Sequence, residues 1–104
     1  MWNIILGAQM TLQFAKKIKA SHILVNHEYE AQDILKKLER GESFEKLAKD
    51  FSLCSSSAEG GLLGEFSRGK MVPSFEKVAF ALEVGEISKI TRTQFGFHII
   101  KRLE

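Results

Sequence analysis

The sequence predicts a single α+β domain in which one small sheet is covered by helices. Apolar, β-branched runs near the start and the end of the chain favour strands, and the middle of the chain carries apolar residues at helical spacing. A length of 104 residues leaves room for one domain. The predicted order of elements is strand, helix, helix, loop, strand, helix, strand, strand, which is typical of the α+β class.

The first strand is predicted over residues 18–25. Its alternate positions form two faces that both carry apolar side chains, which is typical of a central strand. The first face holds Ile18, Ala20, His22 and Leu24, and the second holds Ser21, Ile23 and Val25. We therefore expect this strand to have a neighbour on each side.

Two helices are predicted next, over residues 28–40 and 44–51. Gly41 is expected to end the first helix, and Ser43 is expected to cap the second. The apolar stripes consist of Ala31, Ile34, Leu35 and Leu38 in the first helix, and of Phe44, Leu47, Ala48 and Phe51 in the second. Residues 52–61 are small and polar and end in glycines, so they predict a loop.

The second half of the chain predicts one more helix and three strands. A short strand over 62–66 and a turn over 68–70 precede a helix over 75–82, for which Ser74 is the expected N-cap. The apolar stripe of this helix is Phe75, Val78, Ala79 and Leu82. The last two strands are predicted over 86–90 and 97–103, joined by a loop over 91–96 in which Gly96 serves a tight turn.

The composition argues against several classes of protein. Fifteen Lys and Arg residues against 13 Asp and Glu residues give a net charge of +2, which argues against a dedicated nucleic-acid binder. The single cysteine excludes an intramolecular disulfide and favours a reducing compartment such as the cytoplasm. No run of about 18 apolar residues is present, as a membrane-spanning helix would need.

The first residues of the chain are interpreted as an extension. Residues 1–14 include an apolar run but no basic region of the kind that begins a signal peptide. We therefore expect a loosely attached arm over 1–14, followed by a domain over 15–104. The eight Phe residues are expected mainly to fill the core of that domain.

No metal or cofactor is expected. The glycines at 60, 61 and 64 lack the Lys-Ser/Thr ending of a phosphate-binding loop. The possible zinc ligands His22, His27, Cys54 and His98 are scattered in the sequence.

Two histidines and the cysteine form the candidate constellation for chemistry. His22 and His98 both lie within predicted strands, so their rings can lie side by side if the strands are neighbours. Two adjacent histidines in apolar surroundings resist double protonation, so at least one is expected to be neutral near neutral pH. Spacing alone leaves two other interpretations open. In the first, each histidine is an ordinary core residue with no chemical role. In the second, Cys54 and a histidine form the catalytic pair of a thiol enzyme. The latter is disfavoured because no Lys or Arg lies near Cys54 in the sequence.

Four segments together resemble the parvulin family of peptidyl-prolyl cis-trans isomerases. They read SHILV at 21–25, FSLCS at 51–55, GLLGEFSRGKMVPSFE at 61–76 and TQFGFHIIK at 93–101. Their order and spacing make the resemblance specific, and it covers the chain from residue 15 to the end. It implies a four-stranded, mainly antiparallel sheet surrounded by helices. It also implies non-covalent rotation about X–Pro bonds in unfolded chains or exposed loops, for which no cofactor is required. We expect the domain to act as a monomer, in the cytoplasm that the single cysteine favours.

The resemblance also implies a role for particular residues. The implied catalytic residues are His22, Cys54, Thr93 and His98. The implied pocket for the proline ring consists of Leu63, Met71 and Phe75, with Gln94 and Phe95 on its rim. The alternative from a different class is a proline-peptide-binding or chaperone-like module with little turnover.

Two departures from the family pattern are visible. Leu62 stands where an acidic residue is common. Phospho-directed members carry a basic cluster after the first strand, whereas residues 26–30 here read NHEYE, without Lys or Arg. Because an Arg cluster is the usual way to hold a phosphate dianion, we expect no requirement for a phosphorylated residue before proline.

Overall fold

The computed structural model describes residues 16–104, and the extension expected over 1–14 lies outside them. Its centre is one antiparallel sheet of four strands in the order β2-β1-β4-β3. The strands are β1 (Lys17–Val25), β2 (Leu62–Ser67), β3 (Thr91–Thr93) and β4 (Gly96–Arg102). The central position of β1, predicted from its two apolar faces, is confirmed.

Within residues 16–104, three α-helices and a short 3₁₀ helix surround the sheet. They are α1 (Glu28–Glu39), α2 (Phe44–Phe51), the 3₁₀ helix (Ser55–Glu59) and α3 (Pro73–Ala81). Ser43 caps α2 as predicted, because its Oγ accepts a hydrogen bond from the Lys46 N–H at 3.2 Å. Among residues 16–104, no helix has the length and apolar character needed to cross a membrane.

The predicted start of α3 was wrong by two residues. The helix begins at Pro73, and Val72 is the N-cap in place of Ser74. Proline suits the first helical position because its φ is already helical and its missing N–H would have no partner there. The Val72 carbonyl oxygen accepts hydrogen bonds from the Phe75 and Glu76 N–H groups, which closes the first turn.

The strand predicted over 86–90 was also wrong. That segment makes only an isolated bridge between Ile87 and Lys101, and β3 lies in the predicted loop. The segment does run beside β4, but the Ile100 N–H donates to the Ser88 hydroxyl at 2.9 Å instead of to a backbone carbonyl. The Ser88 side chain therefore takes the place of one backbone partner in the hydrogen-bond ladder of the sheet. The turn at Gly96 is real: it has φ +141°, and a Cβ there would lie 2.5 Å from the Val25 carbonyl oxygen.

The core is divided between the two faces of the sheet. The face covered by α3 buries Ile18, Ala20, Phe66, Phe75, Ala79, Phe80, Leu82 and Ile100. The face covered by α1 and α2 buries Ile23, Val25, Ala31, Ile34, Phe44, Leu47, Ala48 and Ile99. Phe51 departs from its predicted burial, since it is 43% exposed and the Lys37 ammonium lies over its ring.

The two ends of the described chain meet beside β1. The Leu103 N–H donates to the Lys19 carbonyl oxygen at 2.7 Å, and the Lys19 N–H donates to the Glu104 carbonyl oxygen at 3.0 Å. The Lys19 ammonium also pairs with the Glu104 carboxylate at 3.2 Å. The chain therefore enters β1 and leaves β4 at adjacent points.

Candidate active site

Two buried histidines lie side by side on the α3 face of the sheet. In the register of β1 and β4, His22 is opposite Ile100 and His98 is opposite Leu24, so the two rings are diagonal neighbours. The rings stack with centroids 5.2 Å apart and an angle of 18° between their planes. Their Nδ1 atoms are 3.0 Å apart, which is hydrogen-bond distance. The adjacency expected from the sequence is confirmed.

Thr93 extends this pair into a polar chain. Its Oγ1 lies 2.7 Å from His98 Nε2 and accepts a hydrogen bond from the Phe95 N–H at 3.1 Å. A neutral imidazole donates with one nitrogen and accepts with the other, so each histidine satisfies its neighbour in either tautomeric arrangement. His22 Nε2, at the end of the chain, is buried and has no hydrogen-bond partner among the described residues.

Burial keeps both histidines uncharged at neutral pH. Burial, and secondarily the charge of His98, lower the pKa of His22 from 6.5 to about 4. Burial also lowers the pKa of His98. The expectation that at least one of the two histidines is neutral agrees with these directions.

Phe75 fixes the histidine pair from the side of α3. Its ring meets both imidazoles edge-on, with centroids 5.5 Å from His22 and 5.3 Å from His98. The position of Phe75 follows from the start of α3, because Pro73 and the Val72 cap set the first turn of that helix against the sheet. The side chain is 3% exposed, so it belongs both to the core and to the site.

A cavity of about 420 Å³ opens in front of the histidines, and we call it the histidine cavity. It is lined by His22, Leu24, Cys54, Leu63, Lys70, Met71, Val72, Phe75, Phe95 and His98. Every residue implied for the site lines it except Thr93, which lies behind His98, and Gln94, which is exposed on the neighbouring turn.

Sequence reasoning missed three lining residues. Leu24 could have been found, since it shares the predicted face of His22. Val72 and Lys70 flank Met71 in the sequence, but adjacency alone does not show that three consecutive side chains reach one cavity.

Gly61 holds the 52–61 segment against His22. Its carbonyl oxygen accepts a hydrogen bond from the His22 N–H at 2.9 Å. Gly61 has φ +87°, and a Cβ there would collide with the His22 carbonyl oxygen, so only glycine fits without strain. This contact sets the backbone of one catalytic candidate.

Cys54 is placed in the cavity by a short backbone tether. The Leu53 N–H donates to the Leu24 carbonyl oxygen at 2.8 Å, and the Ser52 hydroxyl accepts from the Leu24 N–H at 3.0 Å. Burial raises the pKa of Cys54, but hydrogen bonds from Ser56 and Ser55 to the thiolate outweigh it and lower the pKa below 9.0. Within residues 16–104, no hydrogen bond joins Cys54 to a histidine, so the thiol has no base beside it.

A metal centre finds no support in the described part of the chain. Among residues 16–104, no three His, Cys, Asp or Glu side chains are grouped so that they could hold a metal ion. The donors that do converge, the two histidines, are engaged with each other.

Comparison with known proteins points to one family. A family model of the rotamase, the PPIC-type PPIase domain, matches residues 15–104. The foldase protein PrsA of Bacillus subtilis is 51% identical over 89 residues, which are 85% of this chain and 30% of that protein. A parvulin-like PPIase of Rickettsia conorii is 48% identical over 97 residues, which are 89% of this chain and 34% of that protein. The chain thus spans about a third of the length of these curated relatives.

Solved structures give the same result. The structure of PrsA from Bacillus subtilis is 46% identical with a TM-score of 0.84, and the match covers 96% of this chain and 39% of that one. NmPin, the parvulin of Nitrosopumilus maritimus, is 52% identical with a TM-score of 0.78, and the match covers 86% of this chain and 98% of that one. The fold, the histidine pair and these matches agree, and the chain belongs to the parvulin family of PPIC-type peptidyl-prolyl isomerases.

Proposed function

We propose that this domain catalyses cis-trans isomerisation of X–Pro bonds in polypeptides. The observation that carries the proposal is the histidine cavity, in which an apolar wall of Leu63, Met71 and Phe75 faces a neutral histidine pair. Such a wall suits the compact, apolar ring of proline. The adjoining polar atoms suit the amide bond that must rotate.

The reaction requires tight binding of the proline ring and exclusion of water more than it requires reactive groups. Rotation about an amide meets a barrier of about 18–20 kcal/mol because the bond is conjugated. No covalent bond has to break, so the protein needs only to hold the ring, exclude water and favour the twisted amide over the planar one. The wall formed by Met71 and Phe75 meets the first two needs.

The polar chain is proposed to favour the twisted state. Twisting removes conjugation and shifts electron density within the amide, so groups that are already oriented stabilise the twisted amide more than the planar one. Thr93, His98 and His22 are held in a single chain of contacts and therefore need no reorganisation. We assign these three residues to holding the geometry, and Cys54 to tuning the local electrostatics.

The proposal is tested by a protease-free isomerisation assay on a panel of X–Pro peptides. We expect the protein to accelerate exchange between the cis and trans forms, which takes about tens to hundreds of seconds without a catalyst. NMR shift mapping with the same peptides measures binding independently. Shifts at Met71 and Phe75 without any acceleration would show a binding or chaperone-like module instead.

Part of the peptide panel tests whether a phosphorylated residue before proline is required. We propose no requirement for phosphoserine or phosphothreonine before proline, because Glu28 and Glu30 occupy the first turn of α1 where a phosphate clamp would need cations. A phosphorylated peptide and its unphosphorylated twin should differ by less than about tenfold in turnover. A preference far above that would contradict the proposal.

Cys54→Ser is expected to leave isomerisation within a few-fold of the wild type. The hydroxyl keeps the size and hydrogen-bonding character of the thiol, while it removes the nucleophile that a covalent mechanism would require. The measurement is the isomerisation rate of both proteins on the same peptide. Abolished activity, together with a thioester trapped on the wild-type protein, would show that Cys54 acts covalently.

The setting of the domain is also part of the proposal. We infer a monomer that acts in the cytoplasm on unfolded chains or exposed loops and does not bind nucleic acid. A net charge of +2 and a single cysteine support this setting. Size-exclusion chromatography, cell fractionation and a nucleic-acid binding assay each test one part of it.

A further inference from the structure

The histidine cavity carries one formal positive charge at its rim. Among its lining residues within the described chain, Lys70 is the one lysine, and no arginine, aspartate or glutamate lines the cavity. The histidines are neutral there, as described above. A substrate held in this cavity therefore meets a single cation and no competing anion.

Lys70 has no ionic partner within the described part of the protein. The ion pairs of residues 16–104 use other lysines, namely Lys17, Lys19, Lys37 and Lys101. The Lys70 side chain is exposed, so its ammonium is solvated and ready to pair.

The turn that presents Lys70 is fixed. Gly69 has φ +87°, and its N–H donates to the Glu76 carboxylate on the first turn of α3. Glu76 faces a separate groove together with Arg68 and Phe80. The Glu76 carboxylate thus holds the backbone of this turn, and no ion pair joins it to Lys70 among the described residues.

We propose that Lys70 selects substrates in which an acidic residue, Asp or Glu, stands directly beside the proline. This inference rests on the proposed function of the cavity. Lys70 adjoins Met71, and both residues line the same cavity, so a proline held at Met71 brings its neighbouring residue close to Lys70. A lysine offers one compact charge, which fits a single carboxylate, whereas a planar guanidinium cluster fits a phosphate.

The expected preference is modest, because the pair is exposed to water. Exposed ion pairs correspond to a preference of about two- to fivefold. The ammonium attracts the carboxylate equally in the planar and twisted states, so the preference should appear in KM and in Kd and leave kcat unchanged. It should fade in high salt, where the Debye length shrinks to about 3 Å.

The experiment compares peptides that differ only in Glu against Gln directly before or directly after proline. The ratio of kcat/KM values and the ratio of NMR-derived Kd values are measured for the wild type, Lys70→Gln, Lys70→Glu and Lys77→Gln. Lys77 is the matched control, since it lies on α3 outside the histidine cavity and its replacement changes the net charge equally. We expect the wild type and Lys77→Gln to prefer Glu, Lys70→Gln to show no preference, and Lys70→Glu to prefer Gln.

Two results would overturn the inference: equal treatment of Glu and Gln by the wild type, or a Glu preference that persists in Lys70→Gln. The Kd ratio decides the matter even if turnover is absent. Failure of the proposed function has a different signature, since the wild type would then fail to accelerate even the Gln peptides.

Discussion

Phe75→Ala is expected to remove most of the isomerase activity and to lower the free energy of unfolding by about 3–5 kcal/mol. Phe75 is 3% exposed and packs edge-on against His22 and His98, so its removal leaves a void between α3 and the polar chain. Both imidazoles then lose the surface that orients them. Denaturant unfolding gives the stability, and the peptide assay is run where the variant remains folded.

Met71→Ala distinguishes the loss of the cavity wall from the loss of core packing. Met71 is only half-buried, so its truncation should cost about 1 kcal/mol of stability and still reduce kcat/KM several-fold. Phe75→Leu, which keeps the site filled, should lie between the wild type and Phe75→Ala in stability. A stable Met71→Ala variant with full activity would show that this wall does not hold the proline ring.

Acid is expected to weaken the fold through His22. The pKa of His22 is about 4 in the folded protein and 6.5 in the unfolded chain, so between these values only the unfolded chain takes up the proton. The contribution of His22 to stability is therefore fully present above pH 6.5 and is lost as the pH falls towards 4. The loss amounts to about 3 kcal/mol, and His98 adds to it in the same direction.

The measurement is the free energy of unfolding at a series of pH values, for the wild type and for His22→Gln. Carboxylates titrate in both proteins, so the difference between their two slopes isolates His22. We expect the variant to be less stable at neutral pH but to lose less stability on acidification. Identical slopes would mean that His22 does not take up a proton on unfolding.

The sequence predicted the parts of the site that depend on alternation along a strand. Because side chains alternate, assigning His22 to one face of β1 also placed it with Ile18 and Ala20, as observed. The resemblance then named seven of the ten residues that line the cavity. These inferences succeed because strand periodicity and the order of motifs can be determined from the types and positions of the residues alone.

The missed features depend on partners that are distant in sequence or on local turn geometry. Residues 86–90 have the composition of a strand, but the Ser88 hydroxyl replaces a backbone partner, which no alternation pattern reveals. Phe51 sits on a helical stripe, yet that stripe turns out of the core at its last residue. Lys70 reaches the cavity through the left-handed conformation of Gly69, which a sequence shows only as a glycine.

The meeting of the two chain ends at Lys19 has a consequence for how this fold can be used. The histidine chain lies towards the start of β4, whereas the exit at Leu103 and Glu104 lies past its other end. A polypeptide that continues at both ends can therefore enter and leave such a domain at one point, away from the histidine chain. This arrangement suits a domain that is inserted into a longer chain, because both connections to that chain lie on one side of it.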